Sequence, residues 1–207
     1  MSARFNAVAF LLTINLLSAG EFVVVSYNLE NFVGPNLQNR PVKSVAAKAK
    51  IVESILAARP DVLAVQEIGQ RARVKELQKM LKAKGLELPN AEFVDGPDPV
   101  INLAVLSRFP LRSITHNKVQ FLLGKHRLLV SRGFSEVQVR VAPGYSFTLI
   151  NEHLKSKRPV PHADEAALRL AEAEALRKIV EPVSYTHLRA HETIRYRVIR
   201  LLRVKKW

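Results

Sequence analysis

The stretch R-P-D-V-L-A-V-Q-E, running from Arg59 through Asp61 to Gln66 and Glu67, decides how this chain folds. Four apolar residues, 62–65, follow a Pro-Asp turn signal and lead directly into Gln66 and Glu67. A short unbroken apolar run bounded by turn residues reads as a strand covered on both faces. Upstream, EFVVVSY (residues 21–27) is a second run of this kind, rich in β-branched residues and ending in a polar loop. Between the two, residues 41–58 place Val42, Val45, Ala46, Ala49, Val52, Ile55 and Leu56 at helical spacing. Pro41 stands near the start of that helix and Pro60 just past its end. Strand, helix, strand is therefore the opening unit.

Downstream, residues 74–84 form a second expected helix, with Leu77 and Leu81 inward and Gly85 placed as a C-cap. A short strand is expected at 92–95. A firmer one at 101–106 is ended by Ser107-Arg108-Phe109-Pro110, where Arg108 reads as a structural cap of the strand end. Residues 132–141 and 145–151 are expected strands about a Pro143-Gly144 turn, the first alternating through Phe134, Val137, Val139 and Val141. Residues 163–180 form a third helix, with Glu165–Arg169 and Glu174–Lys178 in the favourable i,i+4 order. This order predicts one mixed α/β domain with helices covering a sheet.

The formal charge is +14, which favours polyanionic partners. Residues 183–207 hold seven Lys/Arg and one acidic residue, so +8 belongs to the remainder. There is no cysteine, which excludes disulfides and thiolate metal sites. Any metal must be held by oxygen or imidazole ligands.

The two ends read differently from the middle. Residues 1–20 carry Arg4, a short apolar run from 7 to 17, then Ser18-Ala19-Gly20, the parts of a secretory signal peptide. The run is short for a membrane span. On this reading the protein is secreted or periplasmic, and the alternative is a buried first element. Residues 183–193, VSYTHLRAHET, resemble one reading frame of a transposase-type sequencing adapter. Residues 183–207 are accordingly expected to be a non-native tail, which leaves 21–182 as the domain. The alternative is a natural basic arm for nucleic acid.

Three segments carry candidate chemistry. In SYNLENF (26–32), Asn28 ends a buried strand, where it forms a turn or serves a site. Glu67 follows its apolar run directly, and a carboxylate there needs a partner, because an isolated buried charge is very costly. Backbone amides, a salt bridge or a hard cation such as Mg²⁺ would each serve. In LINEHLKSK (149–157), His153 stands with Asn151, Lys155 and Ser156 at a strand end. Imidazole can donate to a phosphoryl oxygen or move a proton, and lysines can offset phosphate charge. A solvated strand end is the bland alternative.

Taken together, SYNLENF, PDVLAVQE, NLAVLSRFPL and NEHLKSK occur in the order of the endonuclease/exonuclease/phosphatase superfamily, which this chain resembles over about residues 21–182. The likeness is closest to secreted bacterial members with an HLKSK-type motif followed by R-x-x-E-A-x-x-L-R, here Arg169 to Arg177. The resemblance implies an α/β fold of the type I deoxyribonuclease kind: a two-sheet sandwich with a mixed sheet flanked by helices, of which this chain is the N-terminal half. It implies a metal-binding Glu67 assisted by Asn28, a catalytic His153 with Asn151, and a phosphate-binding Lys155. Mg²⁺ is the implied cofactor, with Mn²⁺ or Ca²⁺ as substitutes. The substrate is a phosphate ester, nucleic acid included, and no stable protein partner or membrane span is implied. The family's G-D-x-N and S-D-H segments do not occur, so an exposed apolar sheet face and little or no activity are expected. The competing class is a non-catalytic basic module that binds nucleic acid or anionic lipid.

Overall fold

The computed structural model describes residues 21–35, 40–156, 163–190 and 199–204, with side chains as far as residue 182. The expected signal peptide, 1–20, lies outside the described residues. In chain order the elements are β1 (Phe22–Phe32), α1 (Val45–Ala58), β2 (Val62–Ile68), α2 (Arg71–Lys82), β3 (Asn90–Val94), β4 (Asn102–Ser107), β5 (Leu111–His116), β6 (Gln120–Leu123), β7 (His126–Leu129), β8 (Phe134–Ala142), β9 (Tyr145–Glu152), α3 (Glu165–Ala190) and β10 (Ile199–Val204). They make a five-stranded sheet ordered β10-β1-β2-β4-β3, a three-stranded sheet ordered β5-β8-β9, and the β6–β7 hairpin.

The β1-α1-β2 unit is parallel, as the opening sequence demands, with Val24 opposite Val62 and Asn28 opposite Gln66. β4 and β3 then add in antiparallel sense, so the larger sheet is mixed. On one face of that sheet, Ile51, Val52 and Ile55 of α1 and Val74, Leu77 and Leu81 of α2 pack on Val25, Tyr27, Leu63 and Val65. Ser44 caps α1 by accepting from the amide of Ala47 at 3.1 Å. Its exit is made by Arg59, in the left-handed region at φ 46, just before Pro60. Replacing Ser44 by alanine is expected to cost about 1 kcal/mol of stability, read from urea unfolding, because one helix-start donor loses its acceptor.

The other face of the sheet corrects one expectation. It is not left open. Phe22, Val24, Val62, Ala64 and Val105 pack against Val137, Val139 and Tyr145 of the three-stranded sheet. The ring of Phe22 stacks on Phe147 at 5.3 Å and meets Phe109 edge-on at 6.1 Å. The alternation in β8 and β9 is what closes the sandwich: one row of side chains faces the larger sheet, and this chain builds both layers itself.

Residues 111–129 hold three strands that the sequence did not announce. Lys118, Lys125, His126 and Arg127 interrupt the apolar pattern there. Residues 183–190 and 199–204 also enter the fold. The backbone continues α3 through Pro182 to Ala190, and Ile199–Val204 pairs in parallel with Phe22–Tyr27. β1 would otherwise be an edge strand with unpaired amides, which any extended segment of suitable pattern can cap.

Two polar ties fix the strands, the first within the larger sheet and the second between the two sheets. Asp61 accepts from the Val23 amide at 2.7 Å and pairs with Arg108 at 3.0 Å. Arg108 thus has the structural place expected of it. The second tie is Asn151, which runs directly beneath the site.

Candidate active site

β1 and β2 both break register at the same end, between Asn28 and Phe32 on one and between Gln66 and Ile68 on the other. Three residues in the left-handed region mark the break: Glu30 (φ 50), Asn31 (φ 63) and Glu67 (φ 58). Such backbone costs about 1–3 kcal/mol per residue and persists where the surroundings enforce it, often at functional sites. Here the bulge turns Glu67 out of the strand's alternation and into the space between the strand ends.

There its carboxylate is held at both oxygens. Asn28 Nδ2 donates to Oε1 at 3.0 Å, and the Asn31 amide donates to Oε2 at 3.1 Å. Asn28 is itself fixed, because its Oδ1 accepts from the Glu30 amide at 2.8 Å. As placed, Asn28 orients the carboxylate with its nitrogen, while its oxygen serves the turn. Arg40 donates to Asn31 Oδ1 and brings a cation to the same loop.

His153 follows the end of β9, and its Nε2 stands 3.5 Å from Glu67 Oε1. The structure thus brings Asn28, Glu67 and His153 together. Asn151, expected beside them, lies one layer deeper. Its Nδ2 donates to the carbonyls of Val65 and Ala104, at 3.0 and 3.1 Å, and its Oδ1 accepts from Gln66 Nε2 at 2.7 Å. Both amide hydrogens are spent on the larger sheet, so Asn151 anchors the base of His153 rather than facing a substrate. Lys155 is held through its backbone: its amide donates to Glu172 Oε2 at 2.5 Å, and its carbonyl accepts from Arg169 Nε at 3.0 Å.

Two residues escaped the sequence reading. Glu172, 2 % exposed on α3, also accepts from the amide and hydroxyl of Ser131, each at 2.9 Å. Its signal was present in R-x-x-E-A-x-x-L-R: Arg169 and Glu172 are the two members of that motif that grip the His153 loop. Arg132 is the other, 7 % exposed, with Nε 3.3 Å from Asp98 Oδ2. That is a charge contact without hydrogen-bond alignment, and its Nε and Nη1 have no hydrogen-bond partner among the described residues. Nothing in the sequence distinguishes Arg132 from a residue at the start of an exposed strand.

Burial holds the His153 imidazole below its ordinary pKa, and the Arg132 charge adds to this against the pull of Glu67, Glu172 and Asp98. The ring is therefore neutral at neutral pH. The unfolded chain takes up the proton first as pH falls, so stability is lost as pH drops through about 6.5. Replacing His153 by glutamine is expected to flatten that part of the stability–pH curve, measured by urea unfolding between about pH 7 and about pH 5. An unchanged slope would contradict the neutral assignment.

The donor set admits a hard cation in one way. Among the described residues no group of three or more His, Asp or Glu side chains is disposed to hold a metal. Mg²⁺ commonly takes only one or two carboxylates and completes its shell with water and substrate phosphate. Glu67, fixed at both oxygens and partly open, fits that role.

The α/β sandwich thus gathers a carboxylate, an amide and an imidazole, Glu67, Asn28 and His153, at one end of its strands. The chain belongs to the endonuclease/exonuclease/phosphatase family, whose model, described as the Endonuclease/Exonuclease/phosphatase family, matches residues 25–204. This is a family of nuclease- and phosphatase-type hydrolases. Among solved structures, the chain is similar to an endonuclease/exonuclease/phosphatase from Beutenbergia cavernae, with 21 % identity and a TM-score of 0.51, covering 76 % of this chain and 43 % of that one. It is also similar to a beta hairpin deletion mutant of beta toxin from Staphylococcus aureus, with 16 % identity and a TM-score of 0.54, covering 88 % of this chain and 66 % of that one. At these identities the likeness concerns the fold. The chain spans less than two thirds of the length of either. Curated proteins gave no match.

Proposed function

We propose that this chain carries the carboxylate–imidazole part of a divalent-metal-dependent phosphodiesterase or phosphatase site. The observation that carries the reading is Glu67: a bulge turns it out of β2, two donors hold it, and it faces His153 at 3.5 Å. Glu67 would hold Mg²⁺, or Mn²⁺ or Ca²⁺ in its place, and such a cation would supply positive charge to offset the negative charge developing on the phosphoryl group. Asn28 keeps the carboxylate oriented. His153, neutral and buried, donates a hydrogen bond to the phosphoryl group as negative charge gathers on it. Lys155 and the buried charge of Arg132 favour binding of the anionic ester. In the reaction water attacks phosphorus, the bond to the leaving oxygen breaks, and the attacking water gives up a proton.

That proton needs a base, and the family's aspartate segments are not among these 207 residues. The chain alone is therefore expected to release little or no p-nitrophenol from bis-p-nitrophenyl phosphate with Mg²⁺, Mn²⁺ or Ca²⁺. A metal-dependent rate typical of the family would overturn that expectation. We further propose that residues 1–20 direct export and that residues 183–207 are foreign to the domain. Independent sequencing of the source DNA across codons 175–207 decides the second point. A G-D-x-N segment in place of the adapter-like run would support the reading, and a genomic tail would refute it.

A further inference from the structure

We propose that the β6–β7 hairpin is a docking surface for a bilayer rich in anionic phospholipid. The hairpin joins neither main sheet. It turns in two residues, with Gly124 at φ 58 followed by Lys125, a geometry that favours glycine at the first position. Its strand pairing sorts the side chains onto two faces. Phe121 and Leu128 are paired and half-buried, and Phe121 packs on the cluster that Val130 and Phe134 form with Ala175 of α3. The opposite face carries Leu122 paired with Arg127, and Leu129 paired with Gln120. Leu122 is 67 % exposed and Leu129 is 43 % exposed.

Charge selects the occupant. Residues 99–135 contain six Lys/Arg and no Asp or Glu; Arg108 and Arg132 are met by Asp61 and Asp98 away from the hairpin. Lys118, Lys125 and Arg127 of this segment are exposed on or beside the hairpin. The acid beneath the hairpin, Glu174 of α3, is accompanied by Lys178. An apolar tip set among uncompensated cations is the pattern of an interfacial anchor: leucines enter the acyl boundary while Lys and Arg stay with the headgroups. Nucleic acid would use the cations alone and leave two leucines in water.

The test does not rest on the hydrolase reading, because it is run with chelator. The full chain is mixed with vesicles of phosphatidylcholine, alone or with an equal part of phosphatidylserine, and the bound fraction is measured by sedimentation. Binding is expected with the mixed vesicles only. The chain lacks cysteine, so Leu122→Cys carrying an apolar, polarity-sensitive dye reports on the hairpin itself; a blue shift with mixed vesicles is expected. The pair Leu122→Ser/Leu129→Ser should weaken binding about tenfold or more, through the apolar area no longer withdrawn from water. Lys125→Gln and Arg127→Gln should each weaken it about fivefold at low salt. All of these positions are exposed, and unchanged circular dichroism is expected. Absence of binding, a dye that does not shift, or a serine pair that binds like the parent would each overturn the proposal. So would duplex DNA binding that needs Lys125 and Arg127 while vesicle binding is absent, which would make the hairpin a nucleic-acid surface.

Discussion

Glu172→Ala is expected to destabilise the chain by about 3–5 kcal/mol, because it leaves three buried neutral donors without their acceptor. The carboxylate is 2 % exposed and accepts three hydrogen bonds, two from Ser131 and one from the Lys155 amide. Truncation leaves those donors facing a cavity, and each unsatisfied buried donor costs about 1–3 kcal/mol, less where water enters. The three bonds join two loops, one after β7 and one after β9, to the N-terminal third of α3. The damage should therefore appear in a particular place: amide exchange at Lys155 should speed up far more than exchange in β1 or β2. Glu172→Gln keeps one oxygen acceptor but sets an amide nitrogen against a donor, so an intermediate loss is expected. Urea unfolding with an unchanged m-value is the measurement. A loss under about 1 kcal/mol for the alanine variant would mean that the loops hold themselves without the helix.

The second large effect concerns Glu67, and it tests the metal reading directly. With Mg²⁺ or Mn²⁺ added, the parent chain should melt at a higher temperature, because a ligand that binds only the folded state stabilises it by mass action. Glu67→Ala should abolish that shift. Affinity measured by calorimetry, or by the free Mn²⁺ signal in electron paramagnetic resonance, should fall by about 100-fold or more. Residues that merely orient a metal ligand already cost 10–100-fold. Asn28→Ala should fall within that smaller range, since Asn28 holds the carboxylate through Nδ2 at 3.0 Å. In the absence of metal, Glu67→Ala should be nearly neutral for stability. It frees two partly exposed donors that water can satisfy, and the left-handed backbone at φ 58 is as costly for alanine as for glutamate. A metal-induced shift that survives in Glu67→Ala would place the cation elsewhere and remove the basis of the proposed function.

Much of the fold was legible because burial writes itself into local pattern. The runs at 22–25 and 62–65 are apolar throughout, which a strand shows only when covered on both faces, and the structure covers them with helices on one side and the second sheet on the other. Spacing placed α1 and Pro60 its exit, but the expected apolar face was right only in its second half: Val42, Val45, Ala46 and Ala49 are exposed, and Ile51 joins Val52 and Ile55 in the core. Residues 111–129 were not legible, because the hairpin is half-solvated and its outward face mixes Leu122 and Leu129 with Gln120 and Arg127. A strand that does not choose between core and water leaves no alternation to read.

By itself the sequence determined the α/β class, the β1-α1-β2 unit, and the three segments whose strand ends carry Asn28, Glu67 and His153. Those depend on local periodicity and on motif order, which need no partner to be recognised. The tertiary structure alone decided which of the candidates meet. Asn151 and His153 are two residues apart, a spacing that a continuous strand would place on one face; β9 ends at Glu152, so Asn151 stays in the strand and ties the sheets together while His153, just past its end, faces Glu67. Glu172 and Arg132 lie 40 residues apart in sequence. Only packing of α3 against the ends of β7 and β9 brings both to the base of the histidine loop. A charge that would be solvated in the extended chain is there made to hold a site.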